Sequence, residues 1–245
     1  MIGAPRIEVT SRSVAVLGFH DGNAGQVEAW FEQVTGLHIA CFVHPAAEPP
    51  RVDVVAENQR RISQRTHFPT QTSFKGRPLL TGLDWAEQLL ALGIQKILPM
   101  LSANRARFEC LQVARTAGLE LVSAVHPTAL ILNGAEIQPG VWINAGAIIG
   151  YQAEIAAGAM INTGAQLDHH AVLESCCQVD PGVVAAGHVT LRQCCHVHTG
   201  TTLINRIEIG ADAIVGAGAV VIKSVPPGCT AVGVPARIIK EPLAR

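Results

Sequence analysis

A repeat of six residues runs without insertion or deletion through most of the second half of the chain. From Val125 to Val225, seventeen consecutive blocks each begin with an aliphatic or small apolar residue. The fifth residue of every block is small or short, with the single exception of Ile207. A period of six matches neither the helical period of about 3.6 nor the plain alternation of a strand.

Hexapeptide repeats of this kind are typical of a parallel β-helix, in which each block forms one short strand and one corner. Three blocks close a coil, so residues 18 positions apart are expected to stack at a spacing of about 4.8 Å. The first residue of each block then points into the prism, and the fifth is small because it lies inside near a tight corner. The alternative, a sandwich with regularly spaced turns, does not explain so many blocks in one register.

The first half of the chain has a different pattern. A buried strand at 13–19, a loop with several glycines, a helix over about 23–35 and a strand at 38–43 follow one another. This β–loop–α–β order is typical of the opening of a Rossmann-like domain. Further helices are expected at 83–92 and 103–117, further strands at 95–101 and 119–123, and a long polar connection over 45–75 that contains Arg60, Arg61 and Arg65.

The two patterns predict two domains. An α/β Rossmann-like domain is expected over 1–122, followed by an all-β parallel β-helix domain over 123–245. All six phenylalanines precede residue 110, as expected if rings pack in a wide α/β core and not in a narrow prism. After Val225 the repeat breaks at SVPPGC, and the tail is expected to form a C-terminal cap over the last strand edges.

Composition limits the classes of function. The chain of 245 residues has 15% charged residues and a net charge of −1, without a basic cluster, which argues against nucleic-acid binding. No apolar run is long enough for a membrane span, and MIGAPRIEVTSRSVAV lacks the pattern of a signal peptide. The seven cysteines are therefore expected to be free thiols in a cytoplasmic protein, with Cys177 and Cys195 packed inside the prism.

Two stretches of the chain contain candidate catalytic or ligand-binding residues. Asp168, His169 and His170 form the most unusual outward cluster of the repeats, and a histidine near a carboxylate can act as a general base. The alternative is an exposed polar turn. In the first domain, the loop with Gly18 and Gly22 could direct a helix N-terminus at a phosphate, although many such turns carry glycine for conformational reasons alone.

The repeats, with the segments INTGAQLDHHAVL, GAGAVV and GVPARIIK, resemble the bacterial sugar acyltransferases with hexapeptide repeats. The segments FKGRPLL, ANRAR and VHPTALI extend the resemblance over nearly the whole chain. The most similar groups are the N-acetyltransferases of nucleotide-linked 4-amino sugars and the sialic-acid O-acetyltransferases. The resemblance implies that the β-helix is left-handed.

The resemblance also implies roles for the histidine motif. It identifies His169 as the general base and Asp168 as the acidic residue before it. The acidic residue that normally follows the base is His170 here, so Asp168 is a candidate for orienting the ring instead. Nine residues beyond the base, Gln178 occupies the position of a second histidine near the acetyl group.

The co-substrate implied by the resemblance is acetyl-CoA, bound in a groove between neighbouring prisms of a homotrimer. The matching positions are Gln178, Gly187, Thr199 and Ala217. From the coil length, Gly187 stacks directly over His169, and its lack of a side chain is expected to leave room for the pantetheine arm.

The sugar nucleotide is implied to bind the first domain. The matching positions are Gly22, Asn23, His44 and Ser102. The loop is one residue longer than usual, and Asn23 stands at or near the position of a family histidine. His44 and Pro45 replace an acidic pair, and Ser102 replaces a glycine. These departures predict an altered preference for the nucleotide or the sugar.

The sequence therefore predicts an acetyl-CoA-dependent acyltransferase that acetylates the amine of a nucleotide-linked amino sugar for a surface glycan. One alternative is O-acetylation of a sialic-acid-like sugar, and another is a binding or scaffold protein without catalysis. A zinc enzyme that uses His188, His196 and His198 is a further alternative, although no metal is expected because their spacing does not match the known pattern.

Overall fold

The structure is a computed structural model that describes residues 7–48 and 69–241. Its contacts divide the chain into two compact units. The first unit comprises Met1–Ser102 and Glu109–Val122, and the second comprises Ala103–Phe108 and Ser123–Arg245. The three arginines that the sequence places in the polar connection lie outside the described residues.

The first unit contains a mostly parallel six-stranded sheet with the order β3-β4-β2-β1-β5-β6. Its central strands are continuous runs of buried apolar residues, as expected where both faces of a parallel sheet are covered. The strands are β1 (Ser13–Leu17), β2 (His38–His44), β3 (Ser73–Phe74), β4 (Arg77–Thr81), β5 (Lys96–Pro99) and β6 (Glu120–Leu121). The helices are a π-helical turn (Asp21–Gly25), α1 (Gln26–Thr35), α2 (Trp85–Ala91) and α3 (Asn104–Thr116), of which α3 contributes its first residues to the second unit.

A short hairpin is the main departure from the sequence prediction in this unit. Residues 45–75 were expected to lack strands, but Ser73–Phe74 pairs antiparallel with β4. Lys75 and Gly76 form the connection with φ values of 48° and 75°, which is the backbone of a two-residue turn. Lysine is an uncommon residue at such a position, so the sequence carried no strong turn signal.

The second unit is a stack of coils with short parallel strands. Strand partners lie 18 residues apart, as between Trp142 and Met160, so the predicted coil length is confirmed. The strands are β7 (Ala124–Val125), β8 (Leu130–Ile131), β9 (Glu136–Ile137), β10 (Trp142–Ile143), β11 (Ile148–Ile149), β12 (Glu154–Ile155), β13 (Met160–Ile161), β14 (Gln166–Leu167), β15 (Val172–Leu173), β16 (Gln178–Val179), β17 (Val184–Ala185), β18 (Thr190–Leu191), β19 (His196–Val197), β20 (Thr202–Leu203), β21 (Glu208–Ile209), β22 (Ile214–Val215) and β23 (Val220–Val221).

Three sheets form the sides of this prism. The first face contains β7, β10, β13, β16, β19 and β22, the second face contains β8, β11, β14, β17, β20 and β23, and the third face contains β9, β12, β15, β18 and β21. These many short, regularly repeating parallel strands agree with the predicted β-helix. The left-handed sense remains an expectation from the resemblance.

The interior is built from two positions of each block. First-position residues such as Ile149 and Leu167 are fully buried, together with small fifth-position residues such as Ala147 and Ala165. Ile207, the one bulky fifth residue, is also buried. The small residues keep the corners tight, while the aliphatic residues fill the prism and supply its hydrophobic stabilisation.

In fifteen of the seventeen blocks, the fourth position, which is the second residue of a corner, adopts left-handed backbone. Glycine, which has no steric penalty there, occupies many of these corners, including Gly164 and Gly182. Other residue types occupy the remainder with φ between 53° and 59°. These are Gln152, His170, Cys176, His188, Cys194, Arg206 and Asp212.

The repeat ends as the sequence predicts. After Val225, Pro226 and Pro227 break the period, and β24 (Thr230–Val232) joins the first face in parallel. The tail strand β25 (Arg237–Lys240) then pairs antiparallel with β24 at the edge of that face. None of the helices in the described ranges has the length and apolar character needed to cross a bilayer.

Candidate active site

His169 lies at a corner between the second and third faces, directly after β14. Its ring lies against Gly187 of the next coil. A Cβ atom added to Gly187 would lie only 2.5 Å from His169 Cε1 and Nε2. The backbone confirms the predicted stacking, since His188 N–H donates to His169 O at 3.0 Å. The space above Gly187 that was expected to receive a pantetheine arm is therefore taken by the imidazole of His169.

His170 contacts the ring of His169 through nitrogen. The two Nδ1 atoms are 3.1 Å apart, so one nitrogen donates a hydrogen bond and the other accepts it. The ring of His170 meets Tyr151 edge-on at 5.8 Å and stacks on His188 at 4.8 Å. His170 is thus in the position to orient His169, although the family motif has a carboxylate there.

Asp168 does not hold the ring of His169. Its Oδ1 accepts a hydrogen bond from the backbone N–H of His169 at 2.7 Å, and its Oδ2 remains 4.0 Å from His169 Nε2. The second distance is too long for a hydrogen bond. Asp168 therefore fixes the turn and contributes negative charge, and its role in orienting the ring stays a prediction.

His188 completes an exposed group of three imidazoles. Its ring meets His169 edge-on at 5.0 Å and is stacked on His170. Loss of solvation, together with the positive charges of His170, His169 and Arg206, lowers the pKa of His188. His188 is therefore expected to be neutral near pH 7, with its nitrogen lone pair available.

A second polar cluster lies beside β16 and β19. Asp180 Oδ2 is 3.0 Å from His196 Nε2 and 3.0 Å from His198 Nδ1. Gln178 Nε2 donates to Asp180 Oδ1 at 2.9 Å. Burial alone would raise the pKa of Asp180, but the hydrogen bonds from His196 and Gln178 outweigh burial and lower it.

Gln178 is buried, and its side chain is only partly satisfied. One amide N–H is used by Asp180, and the buried Oε1 has no hydrogen-bond partner among the described residues. The other positions expected to hold the co-substrate, Thr199 and Ala217, are exposed and stack at a corner between the first and second faces. One chain therefore brings Gly187 to His169 but leaves Gln178, Thr199 and Ala217 on another part of the prism.

The zinc alternative named His188, His196 and His198 together. The structure divides them between two clusters, with His188 beside His169 and the other two beside Asp180. Within residues 7–48 and 69–241, the sets of side chains that could converge on a metal are His169–His170–His188 and Asp180–His196–His198.

The predicted sugar-nucleotide residues follow the carboxyl ends of parallel strands in the first unit. Gly22 and Asn23 are in the π-helical turn after β1, His44 ends β2, and Ser102 follows β5. Such ends meet at one edge of a sheet, where α/β folds bind ligands. Burial lowers the pKa of His44, whose ring packs against Phe19 at 5.0 Å.

His20 is a residue of this edge that the sequence analysis did not single out. Its Nδ1 accepts a hydrogen bond from Gly22 N–H at 3.2 Å, and its ring occupies the space beside Gly22 where a Cβ atom would lie. Asp180 was also missed, and His188 was considered only as a zinc ligand and not as a neighbour of His169. Both could have been found from the coil length, because they lie 18 residues from His170 and His198 respectively.

Comparisons with known proteins give matches among solved structures. No protein-family model and no curated protein matches the chain. A variant of perosamine N-acetyltransferase from Caulobacter crescentus, in complex with CoA and GDP-perosamine, is 28% identical with a TM-score of 0.80 over 96% of this chain and 100% of that chain. The acetyltransferase domain of PglB from Neisseria gonorrhoeae, in complex with acetyl coenzyme A, is 23% identical with a TM-score of 0.76 over 94% and 100% of the chains. WeeI from Acinetobacter baumannii is 20% identical with a TM-score of 0.68 over 92% and 99%.

The similarity to PglB and WeeI, at 23% and 20% identity, shows the fold alone. The similarity to perosamine N-acetyltransferase is higher, at 28% identity, and extends over nearly every residue of both chains. CoA or acetyl coenzyme A is present in two of these neighbours, in agreement with the predicted co-substrate. The resemblance to bacterial sugar acyltransferases with hexapeptide repeats is therefore confirmed, and the chain is an acyltransferase of this structural class.

Proposed function

We propose that the protein transfers an acetyl group from acetyl-CoA to the amine of a nucleotide-linked amino sugar, with His169 as the general base. The observation that carries the proposal is the imidazole of His169, held over Gly187 at an exposed corner. Its Nε2 makes no hydrogen bond within the described residues. The full-length similarity to an N-acetyltransferase crystallised with CoA and an amino-sugar nucleotide supports the choice of substrates.

The hydrogen bond between the two histidines is proposed to run from His169 to His170. If His169 Nδ1–H donates to His170 Nδ1, the lone pair of His169 is on Nε2, where it can accept a proton. The opposite direction would leave a proton on His169 Nε2 and remove its basicity. His170 is thus proposed as a positioning residue, and His169 as the group that contacts the amine.

The reaction then follows from these positions. His169 Nε2 takes a proton from the amine as the amine nitrogen attacks the thioester carbonyl and forms the new C–N bond. The negative charge on the carbonyl oxygen is stabilised by backbone N–H groups and by the second amide hydrogen of Gln178. The C–S bond breaks as the intermediate collapses, and His169 returns its proton to the thiolate of CoA.

The co-substrate site is proposed to require neighbouring copies of the chain. His169 lies at one edge of the second face, while Thr199 and Ala217 lie at its other edge. A second copy packed on this face can bring one edge of one prism opposite the other edge of its neighbour. The groove between them would then contain all the expected acetyl-CoA positions, as the predicted homotrimer requires.

The composition of the faces supports the second face as the interface. The third face carries Glu174, Arg192 and Glu208 in an exposed ion-pair network, which is typical of a solvated surface. The second face and its margins instead carry exposed apolar side chains. These are Leu130, Leu132, Val184, Ile204 and Ile222. Several exposed apolar side chains on one side of the prism are typical of a protein contact surface.

Replacing Ile204 by glutamate is expected to dissociate the trimer, because three charged groups would be buried at the contact without partners. Light scattering coupled to size-exclusion chromatography measures the mass of the particle. Leu83→Glu introduces the same charge at a well-exposed position of the first unit and should leave the mass unchanged. A trimer that persists in the Ile204 variant would move the interface elsewhere.

The first unit is proposed to be Rossmann-like and to hold the nucleotide of the sugar. Its sheet edge assembles Gly22, Asn23, His44 and Ser102, which are the positions implied by the resemblance. His44 ends β2 at a position where the family has an acidic residue. This edge is therefore proposed to bind a nucleotide whose base or ribose differs from that of the usual uridine nucleotide. The expected domains, 1–122 and 123–245, would then divide sugar-nucleotide binding from acyl transfer, in a cytoplasmic step of surface-glycan synthesis.

The test is a transfer assay on the purified full chain. Acetyl-CoA is incubated with guanosine- or uridine-diphosphate 4-amino sugars, or with a sialic acid, and thiol release and acceptor mass are measured. Acetylation of an amino sugar is the expected result. Acetylation of the sialic-acid hydroxyl alone would replace the proposal with O-acetylation, and calorimetry that detects no acetyl-CoA binding at millimolar concentration would indicate a protein without catalysis.

A further inference from the structure

Three imidazoles form a group of potential metal ligands at the exposed corner. One ring nitrogen from each of His169, His170 and His188 lies within 4.8 Å of the other two. His169 Nδ1 and His170 Nδ1 are already 3.1 Å apart. His169 and His188 are exposed, so a solvated ion can reach them and their side chains can rotate.

The coil geometry explains why the rings converge. His170 and His188 occupy the same corner position of successive coils and both have left-handed backbone. Their side chains therefore leave the prism at neighbouring points in the same direction, and their rings are stacked with an interplanar angle of 11°. His169, next to His170, adds a third ring whose plane is nearly perpendicular to both.

The donor set matches a late first-row divalent ion. Imidazole suits Zn²⁺, Cu²⁺ and Ni²⁺, and three histidines with an open fourth position are a known zinc arrangement. With zinc–nitrogen bonds of about 2.0–2.1 Å, ligand nitrogens are about 3.3 Å apart in a tetrahedron. The His169–His170 pair has nearly this spacing, and rotation of His188 brings in the third nitrogen.

Charges around the corner are balanced. Asp168 Oδ2 lies 4.0 Å from His169 Nε2 and supplies a negative charge on the side of the three rings. Arg206, one coil beyond His188 at the same corner, supplies an opposing positive charge. All seven cysteines are buried, so no surface thiol competes for the ion.

We propose that His169, His170 and His188 bind one divalent transition-metal ion of the zinc type. A metal bound to His169 Nδ1 leaves the proton of the neutral ring on Nε2, the atom whose lone pair the proposed reaction needs. Bound zinc therefore inhibits acetyl transfer, a consequence that rests on the proposed function, whereas the binding itself does not.

Calorimetry with zinc chloride and absorption spectroscopy with Co²⁺ test the binding on the chelator-treated full chain. We expect one ion at this cluster, and at least a tenfold loss of affinity in His188→Gly, since even outer-shell changes cost about 10–100-fold. Glycine is the residue that other corners of this chain use at the same position, so the substitution should not disturb the fold.

Two matched variants locate the ion. Gln152→Gly makes the same kind of change at the same corner one coil below His170 and should leave the affinity unchanged. His198→Ala removes a ligand of the other cluster. If His198→Ala abolishes binding while His188→Gly does not, or if the unaltered chain binds no ion, the proposed site is wrong.

The inhibition separates this proposal from the proposed function. Zinc should stop acetyl transfer by the unaltered chain, a chelator should restore it, and His188→Gly should remain active and resist zinc. Binding at the three histidines without inhibition of a measurable transfer reaction would leave the metal site intact and would instead contradict the role of His169 as base.

Discussion

Replacing His169 by alanine is expected to lower the turnover number about 10²–10⁴-fold, the usual contribution of a positioned general base. This loss corresponds to about 2.7–5.4 kcal/mol of transition-state stabilisation. Without the imidazole, the amine must lose its proton to water while it attacks the thioester. Steady-state kinetics with saturating amino-sugar nucleotide and acetyl-CoA measures the effect.

The affinity for acetyl-CoA provides the necessary comparison. The ring of His169 covers Gly187 but makes no contact that the coil requires for folding, so the dissociation constant and the melting temperature should change little. His126→Ala, at a histidine of the first coil outside the cluster, serves as a control that should retain turnover. An unchanged turnover in the His169 variant would remove this residue from the mechanism.

Replacing Arg107 by alanine is expected to destabilise the protein by about 3–5 kcal/mol. Arg107 is fully buried, and its guanidinium donates to Gly158 O at 2.8 Å, to Cys176 O at 3.0 Å and to Asn104 Oδ1 at 2.9 Å. Without these donors, two corner carbonyls lose a charged hydrogen-bond donor and a cavity forms. The midpoint of thermal unfolding should fall by roughly 10 °C, as measured by circular dichroism.

Arg105 is a matched control two residues away on the same helical turn. Its guanidinium pairs with Asp212, but both side chains are about half exposed, so the pair is screened by solvent. Arg105→Ala should therefore cost at most about 1 kcal/mol. Equal effects of the two alanine substitutions would contradict the idea that burial of Arg107 makes its hydrogen bonds important.

The hydrogen bonds of Asn104, Arg105 and Arg107 fix the first turn of α3 along one corner of the β-helix. Gly158, Cys176, Cys194 and Asp212 occupy one corner of four successive coils. The first turn of α3 runs along this corner, since Arg107 binds the first two, Asn104 binds Cys194 O at 3.2 Å, and Arg105 binds Asp212. The segment ANRAR, which is part of the family resemblance, therefore binds the β-helix through hydrogen bonds within the second unit.

The site was predictable to the extent that it depends on the coil. The interval of 18 residues correctly placed Gly187 over His169. It did not reveal that the ring of His169 itself fills the space over Gly187, or that the Nδ1 atoms of His169 and His170 are 3.1 Å apart. Those outcomes depend on side-chain rotamers and on left-handed corner backbone, which the repeat does not encode.

The sequence by itself determined the β-helix, its coil length and the identity of the outward histidines, because every contact in such a prism repeats at a fixed local interval. Only the tertiary structure decided how side chains from different coils meet: the three imidazoles at one corner, the Asp180 cluster beside Gln178, and the carbonyls bound by Arg107. The hairpin after residue 72 was likewise decided by pairing with β2 across the sheet. The physical reason is that a repeat specifies backbone register, whereas the polar contacts depend on which side chains happen to share one corner.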